Sequence, residues 1–392
     1  MGESNSALWN MRWASLLQLG VLGLMGTFET VLMKDHGLAE GQIGWILGLE
    51  NGLMIFTALG WGRIADHTRQ FRRCLFYGSA GLLVALGLFS RAETVGDFVV
   101  YAIFRGISTT AIMGLMPAMA LANLDPAHPG AGFGGYRRYG SMGFLFAAAV
   151  MPLLFDTLAQ MAWVMMAALP LSLWFVGKLA DPAAVPGGPG RFGVMPNRAT
   201  LGLFLVAQFL VSMAEPGVHG FFSAYARDLG ASLQLVGLLS GTTGLIALLT
   251  LGYMGRLADR IGAEKLLLIG FAAQGVRMAM TSFIVDPHWL WVPHLLHGFG
   301  WAGREVSTLL FLSAVLGKAR LGMAASIAMS MRMAGMMAGS MMMGQIAETA
   351  GYPMMFRVTA GMVFLGLGVL CLALRKRPEA KVVAGAPNSV AE

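Results

Sequence analysis

The sequence predicts an all-α membrane protein with twelve transmembrane helices in two pseudo-symmetric six-helix bundles. Three observations support this fold class. Of the 392 residues, 56% are hydrophobic and 12% are charged, whereas a soluble domain carries roughly 25% charged residues. Apolar runs long enough to cross a bilayer recur along the whole chain. The segment Gly62–Asp66 returns 193 positions later as Gly255–Asp259, which indicates two homologous halves.

Twelve apolar runs supply the predicted helices, since about 20 apolar residues cross the hydrocarbon core of a bilayer. In chain order they are 11–33, 42–62, 74–91, 97–122, 137–155, 160–179, 200–223, 234–256, 264–284, 288–316, 321–346 and 354–374. The first run is too long for the apolar part of a signal peptide, and no cleavage motif follows it. We therefore expect it to be retained as a helix.

A segment rich in proline and glycine divides these runs six and six. Residues 180–199 hold four prolines and the adjacent pair Gly187 and Gly188, a composition that does not continue a helix. The predicted organisation is an N-terminal bundle over 1–179, a cytoplasmic linker over 180–199 and a C-terminal bundle over 200–376. A short polar tail over 377–392 is expected to be disordered and cytoplasmic.

The distribution of Lys and Arg predicts the orientation. With a cytoplasmic amino terminus, 19 of the 27 basic residues fall in cytoplasmic segments, 4 in external segments and 4 within helices. This bias is typical of multi-pass proteins with both termini inside, and we expect a bacterial-type inner (plasma) membrane. The net charge of +7 does not indicate a nucleic-acid partner, because the basic residues sit in short loops and form no continuous stripe.

The repeated segment resembles an element of the major facilitator superfamily, whose members have two six-helix halves, a cytoplasmic linker and a G-x-x-x-D element after the second and eighth helices. The glycine that usually follows the acid is missing from the first copy, where Thr68 or Arg69 stands, while the second copy keeps Gly262. The element suits a gating latch that closes in one conformation; the alternative is an ordinary capped loop. The latch residues would be Gly62, Asp66, Arg72, Arg73, Gly255, Asp259 and Arg260.

Three further segments resemble the proton-symporter branch that contains lactose permease, nucleoside:proton symporters and phenylpropionate-type permeases. They are Tyr136–Phe144, Leu295–Phe299 and Asn10–Trp13. Nucleoside symporters usually place an acid shortly after the second of these segments, and Gly300–Ala302 stand there instead, which argues against nucleosides. The Gly-Pro pattern associated with antiport is absent between Gly140 and Pro152, which favours uptake over efflux.

Eight charged residues lie inside the apolar runs and away from their ends. An ionised side chain at the bilayer centre costs at least about 2.5–3.5 kcal/mol, so each is expected to face a partner or a water-filled path. They are the acids Glu29, Glu50, Glu215 and Glu305 and the arginines Arg105, Arg277, Arg304 and Arg332. The helical rise puts Glu50 and Arg105 at one depth, ~11–12 Å below the outer surface, and Arg277 and Arg332 near mid-depth. Glu29 is nearer the outer end, where it either pairs or snorkels.

The tenth run is the densest in ionisable groups. His294 and His297 share one helical face, and Trp301 continues it. With Arg304 or Glu305 further along, His297 would form a proton relay; the alternative is a histidine hydrogen-bonded to a neighbouring helix. We favour the relay for His297 and the plain hydrogen bond for His294.

Glu215–Gly217 is expected to kink the seventh run, because its central proline lacks a backbone donor. Glu215 would then be a proton or substrate site, with His219 as a partner one turn on; the alternative is a kink needed only for curvature. Our hypothesis is that Glu215 or Glu50 carries a proton. The arginines that would stabilise the deprotonated acid or bind substrate are Arg105, Arg277 and Arg332.

Substrate contacts are expected from polar and aromatic groups that face a central cavity. The candidates are Asn51, Gln274 and Trp301, with Gln18, Gln208 and Tyr225. No metal site is predicted, since the paired histidines lack a third ligand and no C-x-x-C spacing occurs. The thirty methionines are more typical of flexible packing than of a copper path. Gly335 and Gly339 indicate a close-packing seam.

The resulting functional hypothesis is a secondary active transporter, not an enzyme. We expect proton-coupled symport (uptake) of a small polar organic solute, such as a sugar, nucleoside or aromatic acid, by alternating access. The proton is the coupling ion and no cofactor is expected; the chain has no nucleotide-binding loop. Its partners would be substrate, protons and the lipid bilayer, and we expect a monomer. The alternatives are a proton-coupled exporter of a drug or metabolite, or a non-transporting membrane sensor.

Overall fold

The structure is a computed structural model that describes residues 2–122, 129–181, 198–316 and 321–375. The first half contains α1 (Gly2–Asp35), α2 (Glu40–Thr68), α3 (Phe71–Phe89), α4 (Val95–Ala122), α5 (Pro129–Leu145), α6 (Met151–Leu154) and α7 (Leu158–Gly177). The second contains α8 (Arg198–Ser212), α9 (Glu215–Val218), α10 (Gly220–Asp228), α11 (Leu233–Ile261), α12 (Ala263–Thr281), α13 (Trp291–His294), α14 (Arg304–Leu316) and α15 (Leu321–Arg375). Most of the predicted linker and all of the predicted tail lie outside the described residues.

The described residues confirm an all-α membrane protein. Eight of their helices are long and apolar enough to span a membrane. These eight cover nine of the predicted runs, because α15 contains both the eleventh and the twelfth; the chain turns between them at Gly351, whose φ is 80°. The fifth, ninth and tenth runs do not qualify. π-helical turns interrupt the fifth at Phe146–Val150 and the tenth at Gly298–Gly303, and the ninth, α12, carries three charges in 19 residues.

The predicted kink in the seventh run is present. Its helix ends at Ser212 and resumes as the short α9 at Glu215, and a second break at His219 (φ −117°, ψ −76°) separates α9 from α10. Pro216 begins the short segment, where a proline can stand because the first amides of a helix have no intrahelical partner. The break leaves Glu215 buried, with 4% of its surface exposed.

The sequence repeat extends to the packing between the two halves. The offset of 193 that relates Gly62 to Gly255 also relates Gly44 to Gly237. A Cβ at Gly44 would lie 2.8 Å from the Cα of Gly344 on α15, and one at Gly237 would lie 2.8 Å from the Pro152 ring on α6. The first turns of α2 and of α11 therefore each lie directly against a helix of the other half, where only glycine fits.

Polar contacts join the two halves at the same end of the molecule. The Nζ of Lys34 lies 2.9 Å from Asp228 Oδ1, and the Nε of Arg227 lies 3.2 Å from Asp35 Oδ1. The Thr30 hydroxyl donates to the Gly220 carbonyl at 2.7 Å. We call this the closed end; it contains the carboxyl end of α1 and the amino ends of α2 and α11.

The opposite end is open. An added Cβ at Gly60 or Gly62 on α2, or at Gly252 or Gly255 on α11, would have no atom within 4 Å. Asp66 and Asp259 are exposed, and neither forms an ion pair with any part of the chain that the structure describes. The predicted latch elements are therefore separated in this conformation.

The first latch copy has Arg69 at the position where the second copy has Gly262. Arg69 ends α2 with φ 58° and ψ 25°, in the left-handed region. Gly262 ends α11 at the equivalent position, with φ 90°. Both helices therefore end at a residue with positive φ, although ψ differs (25° at Arg69 and 147° at Gly262), and in the first half that residue carries a Cβ. Nearby, the Arg72 amide donates to Asp181 Oδ1 at 2.6 Å and Arg73 Nη1 to Gln70 Oε1 at 2.9 Å.

The glycine seam predicted in the eleventh run is confirmed. A Cβ at Gly335 would lie 2.7 Å from Ser212 Cβ, and one at Gly339 would lie 2.7 Å from Met213 Cα. The small residues let α15 lie against the end of α8, next to the break that holds Glu215.

Candidate functional site

Two adjoining cavities lie between the halves, with volumes of about 250 Å³ and 330 Å³. Arg105, Phe144 and His219 line both of them. The smaller, which we call the inner chamber, is also lined by Glu29, Glu50, Asn51, Glu215, Ser240 and Ser340. The larger, which we call the vestibule, is also lined by Arg137, Ser141, Thr243, His297, Trp301 and Arg332. Since the vestibule is lined by Thr243 and Ala247, which lie further along α11 toward Gly255 than Ser240 of the inner chamber does, it lies toward the open end.

Glu29, Glu50 and Arg105 form an acid–arginine triad in the first half. They come from α1, α2 and α4, and Arg105 Nη1 lies 2.5 Å from Oε2 of each glutamate. The Tyr101 hydroxyl also donates to Glu29 Oε2, at 3.2 Å. Glu50 and Arg105, which the sequence predicts at one depth, are in contact in the structure. The snorkelling alternative for Glu29 is wrong, because only 5% of its surface is exposed.

Glu215 is the centre of a second cluster. Arg304 Nη2 donates to its Oε1, and Arg332 Nε donates to its Oε2 at 2.7 Å. Arg332 Nη1 also donates to Glu305 Oε2 at 3.0 Å. The expected pairing of Glu215 with His219 is not formed, since within the described residues the hydrogen bonds of the Glu215 carboxylate are to the two arginines. This cluster holds two acids and two arginines, so its formal charge is zero, whereas the triad holds two acids and one arginine.

Arg277 forms a third cluster, which contains no acid among the residues that the structure describes. It is 1% exposed; its Nη1 lies 2.8 Å from His297 Nδ1 and its Nη2 3.4 Å from His294 Nδ1. A guanidinium has donors only, so Nδ1 of His297 accepts and its proton is on Nε2. The His297 ring stacks on Trp301, with centroids 5.7 Å apart and planes 3° apart.

The relay proposed along the tenth run is therefore not formed in this conformation. His297 turns to Arg277 on α12, while Arg304 turns to Glu215 at the break between α8 and α9. A π-helical turn, Gly298–Gly303, lies between the two side chains. Its extra residue changes the helical register, which separates groups that regular α-helical spacing would place on one face.

Known proteins share this architecture. A family model described as the MFS_1 like family matches residues 8–358. The chain belongs to this family. It is thus a multi-pass membrane transporter of the major facilitator type, not an enzyme.

Two curated relatives of this MFS_1-like protein differ in the cargo that their names give. The multidrug resistance protein MdtG of Citrobacter koseri is 26% identical over 403 residues, which cover 94% of this chain and 97% of MdtG. The maltose permease of Geobacillus stearothermophilus is 27% identical over 281 residues, 69% of each chain.

Solved structures confirm the fold of the MFS_1-like chain. The nucleoside transporter NupG superposes with a TM-score of 0.80 at 14% identity, covering 95% of this chain and 100% of NupG. The POT family transporter PepTSo gives 0.75 at 12% identity, covering 94% of this chain and 97% of PepTSo. At these identities the likeness concerns the fold alone.

The cavities include only part of the predicted site of this MFS_1-like protein. The predicted site residues that line one or both cavities are Glu29, Glu50, Asn51, Arg105, Glu215, His297, Trp301 and Arg332. Arg277, Arg304, Glu305 and Gln274 line neither cavity. The Gln18 amide donates to the Ser79 hydroxyl within the first half, and the Tyr225 hydroxyl donates to the Ile284 carbonyl within the second half.

Phe144 is a lining residue that sequence analysis did not select as a contact. A Cβ at Gly23 on α1 would lie 2.8 Å from its ring, and one at Gly244 on α11 would lie 3.0 Å from it. The ring therefore fits between a glycine of each half at the junction of the two cavities. No sequence pattern links these three positions, because they are distant in the chain and meet only in the folded protein.

Proposed function

We propose that this protein is a proton-coupled symporter that takes up a small polar organic solute by alternating access. The observation that carries the proposal is the acid–arginine triad on the wall of the inner chamber. Two carboxylates within hydrogen-bonding distance of one guanidinium hold one negative charge more than the arginine balances. Like charges so close together favour a shared proton, and the chamber gives that proton a path.

The triad, rather than Glu215, is the proposed proton carrier. Glu215 accepts from two arginines, so its ionised form is fully compensated and has little reason to bind a proton. The pair Glu29 and Glu50 has one cationic partner. Binding one proton makes the triad neutral, and releasing it restores one net negative charge.

The conformation suits one step of an alternating-access cycle. The halves meet at the closed end and separate at the end that carries the latch elements. The Lys and Arg bias supports an orientation with the open end in the cytoplasm of a bacterial-type inner membrane and both termini inside. In this inward-facing form, substrate and proton would leave through the vestibule. We propose a monomer that needs neither metal nor cofactor.

Proton-coupled export of a drug or metabolite is the second candidate. Its support is the likeness to MdtG, which extends over 94% of this chain. The likeness to a maltose permease supports uptake, as does the absence of the antiport pattern in the fifth run. The triad fits either direction, because the direction depends on which conformations bind substrate and proton together.

The test uses purified protein in proteoliposomes and a panel of sugars, nucleosides and aromatic acids. Symport predicts that one class alkalinises the external medium as it enters. Glu29→Gln and Glu50→Gln each leave one acid for Arg105, which imitates the protonated pair. Each variant should lose accumulation driven by a pH gradient while exchange of internal for external substrate continues. Glu93→Gln, at an exposed position outside the bundle core, is the matched control.

Three outcomes would overturn the proposal. Acidification on addition of a substrate would establish the exporter. Proton-driven accumulation that persists in both glutamine variants would remove the triad from the coupling mechanism. Saturable binding without any flux would indicate the non-transporting sensor.

A further inference from the structure

The two cavities differ in the charge of their walls. Glu29, Glu50 and Glu215 line the inner chamber, and among the described residues that line it Arg105 is the one arginine. Among the described residues that line the vestibule there is no Asp or Glu, and three arginines are present, Arg105, Arg137 and Arg332. A solute that moves from the open end therefore passes a basic cavity before it reaches an acidic one.

Two of the nearby arginines have no acid to compensate them. Arg105 forms ion pairs with the two glutamates of the triad, and Arg332 forms ion pairs with Glu215 and Glu305. Arg137, by contrast, lines the vestibule, half-buried, and forms no ion pair within the described ranges. Arg277 is buried and contacts two histidines, and again no acid of the described chain lies within ion-pair distance.

Arg277 acts on the vestibule through His297. Because Arg277 donates to Nδ1, the His297 ring carries its proton on Nε2 and is itself a donor. A donor polarised by a guanidinium binds an anion more strongly than an isolated imidazole does. The vestibule wall therefore presents a cation, Arg137, and a polarised donor, His297, without a protein anion to satisfy them.

The rest of the vestibule wall is mainly apolar and aromatic. Phe144 and Trp301 face it, together with Leu19, Leu22 and Met113. Its volume of about 330 Å³ is at the lower end of the range for small-molecule sites, about 300–1,000 Å³. This composition suits a small solute with a flat apolar body and one anionic group.

We propose that the vestibule is a binding site for a small organic carboxylate, with its anionic group between Arg137 and His297 and its apolar body against Trp301 and Phe144. This inference rests on the proposed function and narrows its substrate class. A sugar or nucleoside would leave Arg137, and Arg277 behind His297, uncompensated, and a cationic drug would be repelled by these two arginines. A carboxylate supplies the missing negative charge.

The net charge moved in one transport cycle follows from the charge of the substrate. One carboxylate and one proton on the triad together carry no net charge. Uptake of the pair is therefore electroneutral, so a pH gradient drives it and a membrane potential alone does not. A neutral solute carried with a proton would move one positive charge and would respond to the potential.

The binding experiment uses purified protein in detergent and the fluorescence of Trp301. The probes are 4-hydroxybenzoate and cinnamate, their uncharged amides, and benzylamine as a cation of similar size. Trp301→Phe identifies the signal that arises in the vestibule. We expect the two carboxylates to bind and the amides to bind at least about tenfold more weakly, because a charge-assisted contact is lost.

Substitution of the cations completes the test. Arg137→Gln should weaken carboxylate binding about tenfold or more, while Arg138→Gln, an exposed neighbour that lines neither cavity, should bind as the parent does. Arg277→Lys keeps the charge and should retain more affinity than Arg277→Gln. Amides that bind as well as acids, equal effects of the two neighbouring glutamine variants, or binding of uncharged solutes alone would overturn the inference.

The two proposals fail separately. Carboxylate binding that depends on Arg137, without proton flux in liposomes, would uphold the vestibule site and remove the symport proposal. Proton uptake triggered by a sugar, with no response to any carboxylate, would uphold symport and remove the site. Carboxylate uptake that a membrane potential accelerates would contradict the electroneutral pairing.

Discussion

Glu29 and Glu50 lie on different helices, and Oε2 of each is 2.5 Å from the same nitrogen, Nη1 of Arg105. The two acids come from the first and second helices and are 21 positions apart. Arg105 comes from α4, whose close approach to α2 depends on Gly106; a Cβ there would lie 3.2 Å from the Glu50 carbonyl. A single cation therefore joins three helices on one side of the inner chamber.

Arg105→Gln should destabilise the first half. Loss of the cation leaves two buried acids without a charged partner, and breaking a buried ion pair in this way costs about 3–5 kcal/mol. The yield of folded protein and its thermal stability in detergent measure the effect. Adding Glu50→Gln removes one of the unpaired acids and should restore part of the loss. Additive effects of the two substitutions would mean that the three side chains are not energetically coupled.

Glu215→Gln should reduce stability much more than Glu305→Gln. The Glu215 side chain is 5% exposed and compensates two arginines, whereas that of Glu305 is 45% exposed and contacts one. Removing the buried acid leaves Arg304 uncompensated, at a cost of about 3–5 kcal/mol, while an exposed pair is worth about 0–1 kcal/mol. Thermal unfolding of both variants decides this. Equal losses would contradict a structural role for the Glu215 cluster.

Gly44→Leu should open the closed end. A side chain there would overlap Gly344 on α15, and overpacking of this kind costs roughly 1–3 kcal/mol, which shifts the closed population by about 5- to 150-fold. We expect transport to fall and cross-linking between cysteines placed at Lys34 and Asp228 to decrease, in a background without Cys74 and Cys371.

Gly60→Leu is the control for that experiment. It is on the same helix, but the space around it is open, so cross-linking at the closed end should stay at the parental yield. If both leucine variants lowered cross-linking equally, the effect would come from general damage to α2 rather than from the glycine contact.

Arg69→Gly should stabilise the protein slightly. Arg69 has φ 58°, a conformation that costs a residue with a Cβ roughly 1–2 kcal/mol, part of which the greater freedom of glycine in the unfolded chain offsets. A net gain of about 1 kcal/mol corresponds to a rise in Tm of roughly 1–2 °C for a protein of this size. Arg69→Gln removes the charge and keeps the Cβ, so it should give no gain. A fall in Tm for the glycine variant would refute the interpretation.

The sequence was most informative where the bilayer as solvent imposes a rule on the chain. Long apolar runs must be helices in lipid, because unpaired backbone groups are costly there, and nine of the predicted runs lie in helices of spanning length. The internal geometry of two runs was not predictable in the same way. In the fifth and tenth, π-helical turns break the regular spacing, and such turns leave no signature in composition.

The pairing of the intramembrane charges was also predictable only in part from the sequence. Depth along a helix follows from residue number, so Glu50 and Arg105 were predicted at one level and are in contact. Rotation about the helix axis and the choice of neighbour do not follow from number. For Glu215 the sequence therefore suggests His219 on its own run and leaves three arginines open, of which Arg332 on α15 is a partner in the structure, together with Arg304 on α14.

By itself the sequence determined that this is a two-half, helical membrane protein with four acids and four arginines inside its runs, because hydropathy and repeat spacing are local properties of the chain. The tertiary structure decided which acids share a cation, which cations have no acid, and which end of the molecule is closed. These are relations between helices far apart in the chain. They depend on close approaches at residues such as Gly44 and Gly237, where the absence of a side chain sets the distance between the halves.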